Sequence, residues 1–111
     1  MNTATLEKLE KKLEEGYVKA YNSIANRQRI KYGNPLGEAS PRGAVKVLLK
    51  EVSQERITEK EAIKLAKLLG KKEYGEWGLS SGIISCTVEK TLGFSHPACY
   101  RLSGELGMEY N

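Results

Sequence analysis

The sequence predicts an all-α domain of about five helices. Apolar residues recur three or four positions apart, glycines and prolines separate these stretches, and no segment alternates apolar and polar residues as a strand would. A chain of 111 residues is enough for one hydrophobic core, so we expect a single domain over residues 1–111. The predicted parts are a long N-terminal helix over 1–32, a connector over 33–40 and a compact helical core over 41–107.

The first helix is predicted by one long apolar stripe, which a Gly-Asn-Pro turn at 33–35 ends. Gly16 weakens its middle by roughly 1 kcal/mol relative to Ala and would allow a bend. The stripe is longer than one small domain needs, so the helix either packs along the rest of the chain or pairs with a second copy as a homodimer. Its members are Leu6, Leu9, Leu13, Tyr17, Ala20, Tyr21 and Ile24.

The second helix is predicted to start at Ser40 and Pro41, the order of a capping residue followed by a first-turn proline, and to end near Gln54. Its apolar face consists of Ala44, Val45, Leu48, Leu49 and Val52.

The third helix begins at a capping box, in which Thr58 and Glu61 each satisfy a free backbone donor. We expect it to run over 59–69, to close at Gly70, and to be followed by an irregular loop as far as Ser80. Its buried face is predicted to hold Ala62, Leu65, Ala66 and Leu69.

The last two helices are predicted on either side of a tight corner at Gly93. Ser80 or Ser81 would cap the fourth helix, Ser95 would cap a fifth with Pro97 in its first turn, and residues 108–111 would be a short tail.

The segment 81–106 resembles a helix-turn-helix, since Val88, Leu92, Phe94, Cys99 and Leu102 are apolar around the Gly93 corner. Such motifs usually carry a small residue where this chain has Glu89. The resemblance implies that the fifth helix contacts DNA, and the side chains it would present are Ser95, His96, Tyr100 and Arg101. The alternative is an αα-hairpin in which the glycine and serine only cap helices.

The net charge of +4 and the pI near 9.1 are compatible with a polyanionic partner. The helix-turn-helix-like part is the least basic, because residues 81–111 hold Lys90 and Arg101 against three glutamates, a net charge of −1. Sequence-independent phosphate contacts therefore point to two other groups of cations. One is Arg27, Arg29 and Lys31; the other is Lys64, Lys67 and Lys71, which continue the helical period of Lys60.

The lysines of the third helix have an alternative interpretation as an ordinary solvated face, because Glu59, Glu61 and Glu73 are interleaved with them.

Enzymatic chemistry is disfavoured, because the chain has no Asp and a single His. Cys99 lies three residues after His96, so a thiol and a base could share one helical face, which is the least that nucleophilic catalysis requires. The position of Cys99 between the paired helices favours a structural role instead. With Cys86 these residues lack the fourth ligand of a structural zinc site, so we expect neither metal nor cofactor. A Cys86–Cys99 disulfide is a further alternative.

Trp77 and Tyr74, beside Lys71 and Lys72, could stack on unpaired bases or could fold over the core.

No apolar run is long enough to cross a bilayer, and no basic start precedes an apolar stretch, so we expect an intracellular, cytoplasmic protein without membrane contact. The many Lys and Glu residues, with two Gln, resemble the composition of heat-adapted proteins. The function predicted from the sequence is non-enzymatic binding of nucleic acid, in the first place double-stranded DNA. The alternative is an assembly subunit that binds protein through its first helix and contacts no nucleic acid.

Overall fold

The computed structural model describes residues 2–32, 41–75 and 80–110, with the side chains of 28–32, 42, 74 and 75 excepted. These residues form five helices and no strand, which confirms the all-α prediction. The helices are α1 (Thr3–Tyr32), α2 (Arg42–Ser53), α3 (Glu59–Gly75), α4 (Ser81–Leu92) and α5 (Cys99–Tyr110). The predicted connector at 33–40 lies outside the described residues, as does Trp77.

Each helix packs against two neighbours, in the order α1, α3, α4, α5, α2 and back to α1, and α2 also contacts α3. The apolar faces of all five helices meet in one core. Within the described residues, α1 packs on α2 and α3 but not along α4 or α5. α3 lies between α1 and α4 and joins the first helix to the α4–α5 pair.

The apolar stripe of α1 is covered by the protein's own core, because Leu9, Leu13 and Tyr17 are all almost fully buried. Of the two arrangements predicted for this helix, the chain adopts the one in which it packs along the rest of the domain.

The prediction that the third helix closes at Gly70 is wrong, since α3 continues to Gly75. Gly70 is a packing residue rather than a stop signal. A Cβ at this position would overlap the backbone carbonyl oxygen of Tyr17, so the missing side chain lets α1 and α3 approach closely.

The capping box that starts α3 is confirmed. The Glu61 carboxylate accepts the Thr58 N–H at 2.8 Å, and the Thr58 hydroxyl accepts the Glu61 N–H at 3.1 Å. Ser80 caps α4 by accepting the Ile83 N–H at 3.3 Å.

The predicted limits of the fifth helix are wrong at both ends. The helix begins at Cys99, four residues after the predicted cap Ser95, and residues 94–98 form turns that include Pro97. The start shifts because the His96 ring, at Nδ1, accepts the Ala98 N–H at 3.0 Å and occupies a donor at the entry to the helix. The predicted tail is helical as far as Tyr110.

Tyr110 joins the C-terminal end of α5 to the centre of the fold. The Tyr17 hydroxyl lies 2.6 Å from the Tyr110 hydroxyl and donates to the Glu73 carboxylate, also at 2.6 Å. Burial, reinforced by these hydrogen bonds, raises the pKa of Tyr17 far above its ordinary value, and burial likewise raises that of Tyr110. These hydrogen bonds therefore link α1, α3 and α5, and both tyrosines that take part are held as neutral phenols.

Candidate nucleic-acid interface

Four lysines form a row on the outer side of α3. They follow one another at intervals of four, three and four residues, and all are exposed: Lys60, Lys64, Lys67 and Lys71. At 1.5 Å of rise per residue the row is about 16 Å long. None of the four forms an ion pair with a carboxylate of the described residues. As far as the structure describes the chain, the row therefore presents ammonium groups without a carboxylate partner.

The lysine row meets α1 at Gly16. The aliphatic stem of Lys67 crosses this glycine, with its Cγ 3.5 Å from the place that a Cβ would take. Lys12 and Lys19 are exposed and stand one helical turn before and after Gly16, on the same side of α1. We call these six residues the lysine face: Lys12, Lys19, Lys60, Lys64, Lys67 and Lys71.

Two of the glutamates that neighbour the α3 lysines in the sequence, Glu61 and Glu73, form hydrogen bonds with groups other than these lysines. Glu61 closes the capping box and lies 3.5 Å from the His96 ring, while Glu73 accepts the Tyr17 hydroxyl. Glu59 remains exposed in the first turn of α3. Neither Glu61 nor Glu73 forms an ion pair with a lysine of the row.

Of the predicted cationic cluster at the end of α1, the structure describes the side chain of Arg27 only. Arg27 is exposed and lies on the same helix as Lys12 and Lys19. Arg29 and Lys31 belong to the last turns of α1, but their side chains lie outside the described residues.

Arg101 is engaged with carboxylates. Its Nε donates to Glu105 at 3.0 Å and lies 3.8 Å from Glu51, and half of its side chain remains exposed. Burial alone would raise the pKa of Glu105, but the hydrogen bond from Arg101 holds it below its ordinary value. Arg101 would have to exchange these contacts to bind a base or a phosphate.

Glu51 is the centre of this charged group and is fully buried on α2. Arg56 binds it through two hydrogen bonds of 2.7 and 3.1 Å. The sequence interpretation missed Glu51, although its position three residues after Leu48 places it on the apolar face of α2.

The other predicted residues of the corner differ in exposure. Tyr100 is 94% exposed on α5, and Ser95 is exposed in the turn before it. His96 is partly buried, with Nδ1 occupied by the Ala98 N–H and Nε2 facing Glu61. Tyr100 and Arg101 lie on α5, and Ser95 and His96 lie in the turn before it, whereas the lysine face lies on α1 and α3; His96 reaches α3 only at Glu61.

The two cysteines are free thiols, so the Cys86–Cys99 disulfide is not formed. Cys99 is buried, and burial followed by the charge of Glu89 raises its pKa, while Cys86 is exposed. Within the described part of the chain, no three His, Cys or Glu side chains are close enough together to hold a metal ion.

No helix in the described ranges combines the length and the apolar composition needed to span a membrane.

Comparison with protein-family models, with curated proteins and with solved structures finds no match to this chain.

Proposed function

We propose that this protein binds nucleic acid, in the first place double-stranded DNA, through phosphate contacts made by the lysine face. The observation that carries the proposal is the row of α3 lysines, which form no ion pair with another described residue and are joined to Lys12 and Lys19 of α1 where Lys67 crosses Gly16. Duplex DNA carries one negative charge per about 1.7 Å of its axis, so a row about 16 Å long spans roughly five base pairs. Such contacts bind DNA without reading its sequence.

Among the described residues, the surroundings of the lysines support a duplex over a single strand, whereas Trp77 and the side chain of Tyr74, which follow Lys71, lie outside them and leave stacking on unpaired bases as the alternative. Proteins that hold single strands place aromatic side chains among their cations, so that bases can stack. The exposed aromatic residues of the described part, Phe94 and Tyr100, belong to the α4–α5 side and not to the lysine face.

The competing proposal for the same function is that α5 reads base edges as the second helix of a helix-turn-helix. α4 packs on α5, a Cβ added at Gly107 of α5 would lie 4.0 Å from Ser81 of α4, and the two helices share a groove that is also lined by Glu89 and Cys99. Contact over most of both helices is typical of an αα-hairpin, and Arg101 is already paired. These observations support the lysine face over α5 as the principal contact.

The test is a fluorescence-anisotropy titration of random duplex DNA with two triple variants that lose the same charge. Lys64→Gln, Lys67→Gln and Lys71→Gln together remove half of the lysine face, whereas Lys11→Gln, Lys46→Gln and Lys90→Gln remove exposed lysines elsewhere. We expect at least tenfold weaker binding for the first triple and little change for the second. Equal effects of the two triples would show that only net charge matters, and would contradict a defined face.

Arg101→Ala separates the two modes of binding. Under the lysine-face proposal its effect is small and equal for all sequences. A loss of roughly 1–3 kcal/mol, confined to preferred sequences, would instead support base reading by α5.

A second candidate function is protein assembly without nucleic acid. It is favoured by the exposed apolar side chains of the α4–α5 side rather than by α1, whose apolar stripe is buried in the core.

A further inference from the structure

The three large apolar side chains exposed in the described part all line one groove. They are Phe94, Tyr100 and Met108, which are 83%, 94% and 78% exposed, and the groove between α4 and α5 has a volume of about 530 Å³. Isolated exposed apolar residues are common on monomers, but a cluster around a concave surface marks a place where another surface binds.

The lining of the groove includes small residues from both helices. α4 contributes Ser81 and Ser85, and α5 contributes Ser103, Gly104 and Gly107. A Cβ at Gly104 would meet no atom within 4 Å, so the space above this glycine is open. A helix backbone can therefore approach α5 closely at Gly104.

The exposed face of α5 is self-complementary about this glycine. Tyr100 and Met108 stand four residues before and four residues after Gly104, on the same side of the helix. If a second α5 crosses antiparallel at Gly104, each Tyr100 meets Met108 of the other copy. Contacts between a methionine sulfur and an aromatic ring are favourable, and a two-fold axis makes the contact twice.

Charge also favours a second copy over a polyanion at this surface. The charged or titratable side chains that line the groove include Glu89 and His96, and neither is a fixed cation. Two molecules with a net charge of +4 repel each other least where their surfaces carry little charge. The lysine face belongs to α1 and α3, so this contact leaves it free.

We propose that the α4–α5 groove binds the α5 helix of a second copy of this chain, with the two-fold axis passing near Gly104. This dimer differs from the one expected through α1, because the apolar stripe of α1 is buried within its own chain. The proposal does not depend on nucleic-acid binding.

Sedimentation equilibrium without nucleic acid tests the dimer, with Gly104→Arg as the variant and Gly82→Arg as its control. Gly82 is also an exposed helical glycine, where a Cβ would meet only the Ser80 Oγ at 3.9 Å, an ordinary contact, and it does not line this groove. We expect the native protein and Gly82→Arg to form dimers as concentration rises, and Gly104→Arg to stay monomeric with an unchanged helical circular dichroism spectrum. A native protein that is monomeric throughout, or a folded Gly104→Arg that dimerises normally, would overturn the proposal.

Cross-linking checks the position of the axis in a Cys86→Ser background, which removes the exposed thiol. Gly104→Cys should form a disulfide-linked dimer on mild oxidation, because a residue near a two-fold axis lies close to its own counterpart. Gly82→Cys should not. Efficient linkage at 82 but not at 104 would assign the dimer to another face and contradict the proposal.

Discussion

The hydroxyl groups of Tyr17 and Tyr110 lie 2.6 Å apart, so the middle of the first helix is joined to the last turn of the last helix. Glu73 of α3 accepts from Tyr17 at the same point. This hydrogen bond explains why the C-terminal residues are helical and not a free tail, since the end of α5 is fixed to α1.

Stability should fall in alkaline solution because the pKa of Tyr17 and that of Tyr110 are both raised in the folded protein. A raised pKa stabilises the fold fully below the ordinary tyrosine value of about 10, and this contribution is lost as pH rises above it. We expect the urea midpoint of Tyr17→Phe to depend less on pH above about 10 than that of the native protein. Tyr100→Phe, which changes an exposed tyrosine, should match the native profile; an equal response of both variants would exclude the buried pair as the cause.

Gly70 and Gly16 should respond in opposite ways to alanine. At Gly70 the added Cβ overlaps the Tyr17 carbonyl, so Gly70→Ala should cost about 1–3 kcal/mol despite the better helix propensity. At Gly16 the nearest atom is Lys67 Cγ at 3.5 Å, an ordinary contact, so Gly16→Ala should gain about 0.5–1 kcal/mol. Urea unfolding of both variants measures the difference, and a stable Gly70→Ala would show that α1 and α3 are less closely packed.

Replacement of the buried Glu51 should lower the free energy of unfolding. Glu51→Gln keeps the shape but removes the charge that Arg56 binds through two hydrogen bonds, and should destabilise the fold by about 1.5–3 kcal/mol. Glu55→Gln, an exposed change in the following loop, is the matched control and should change stability by less than about 0.5 kcal/mol. Similar unfolding midpoints for both variants would contradict a structural role for the charged group.

The two thiols should differ in reactivity. Cys99 is 5% exposed and its pKa is raised, so little thiolate forms, whereas Cys86 is exposed. A thiol reagent should label Cys86 quickly, and should label Cys99 only at the rate at which the protein opens. Rapid labelling of Cys99 in Cys86→Ser would show an accessible thiol and favour the catalytic alternative.

The helices could be predicted from the sequence because their signals are local. The Thr58–Glu61 capping box and the stripe at Leu9, Leu13 and Tyr17 depend only on residues a few positions apart. Gly70 and Glu51 could not be interpreted correctly in this way. The role of Gly70 depends on Tyr17, which lies some fifty residues away in the chain, and the burial of Glu51 depends on how α2 packs against the other helices, with Arg101 of α5 within 3.8 Å.

The candidate site likewise has one part that local sequence signals predict and one part that depends on contacts between helices. The α3 lysine period is visible in the sequence, but its junction with α1 at Gly16 requires the packing of two helices. The ion pair of Arg101 with Glu51 likewise appears only when α2 and α5 meet.

The central claim is that the lysine face binds the phosphates of duplex DNA, and the salt dependence of binding tests it most directly. In the Lys64, Lys67 and Lys71 triple glutamine variant, the slope of log K against log salt concentration should become less steep by roughly 0.9 for each phosphate that is no longer neutralised. The Lys11, Lys46 and Lys90 triple variant should keep the native slope. An unchanged slope in the first variant, or no binding of duplex DNA at low salt by the native protein, would contradict the account.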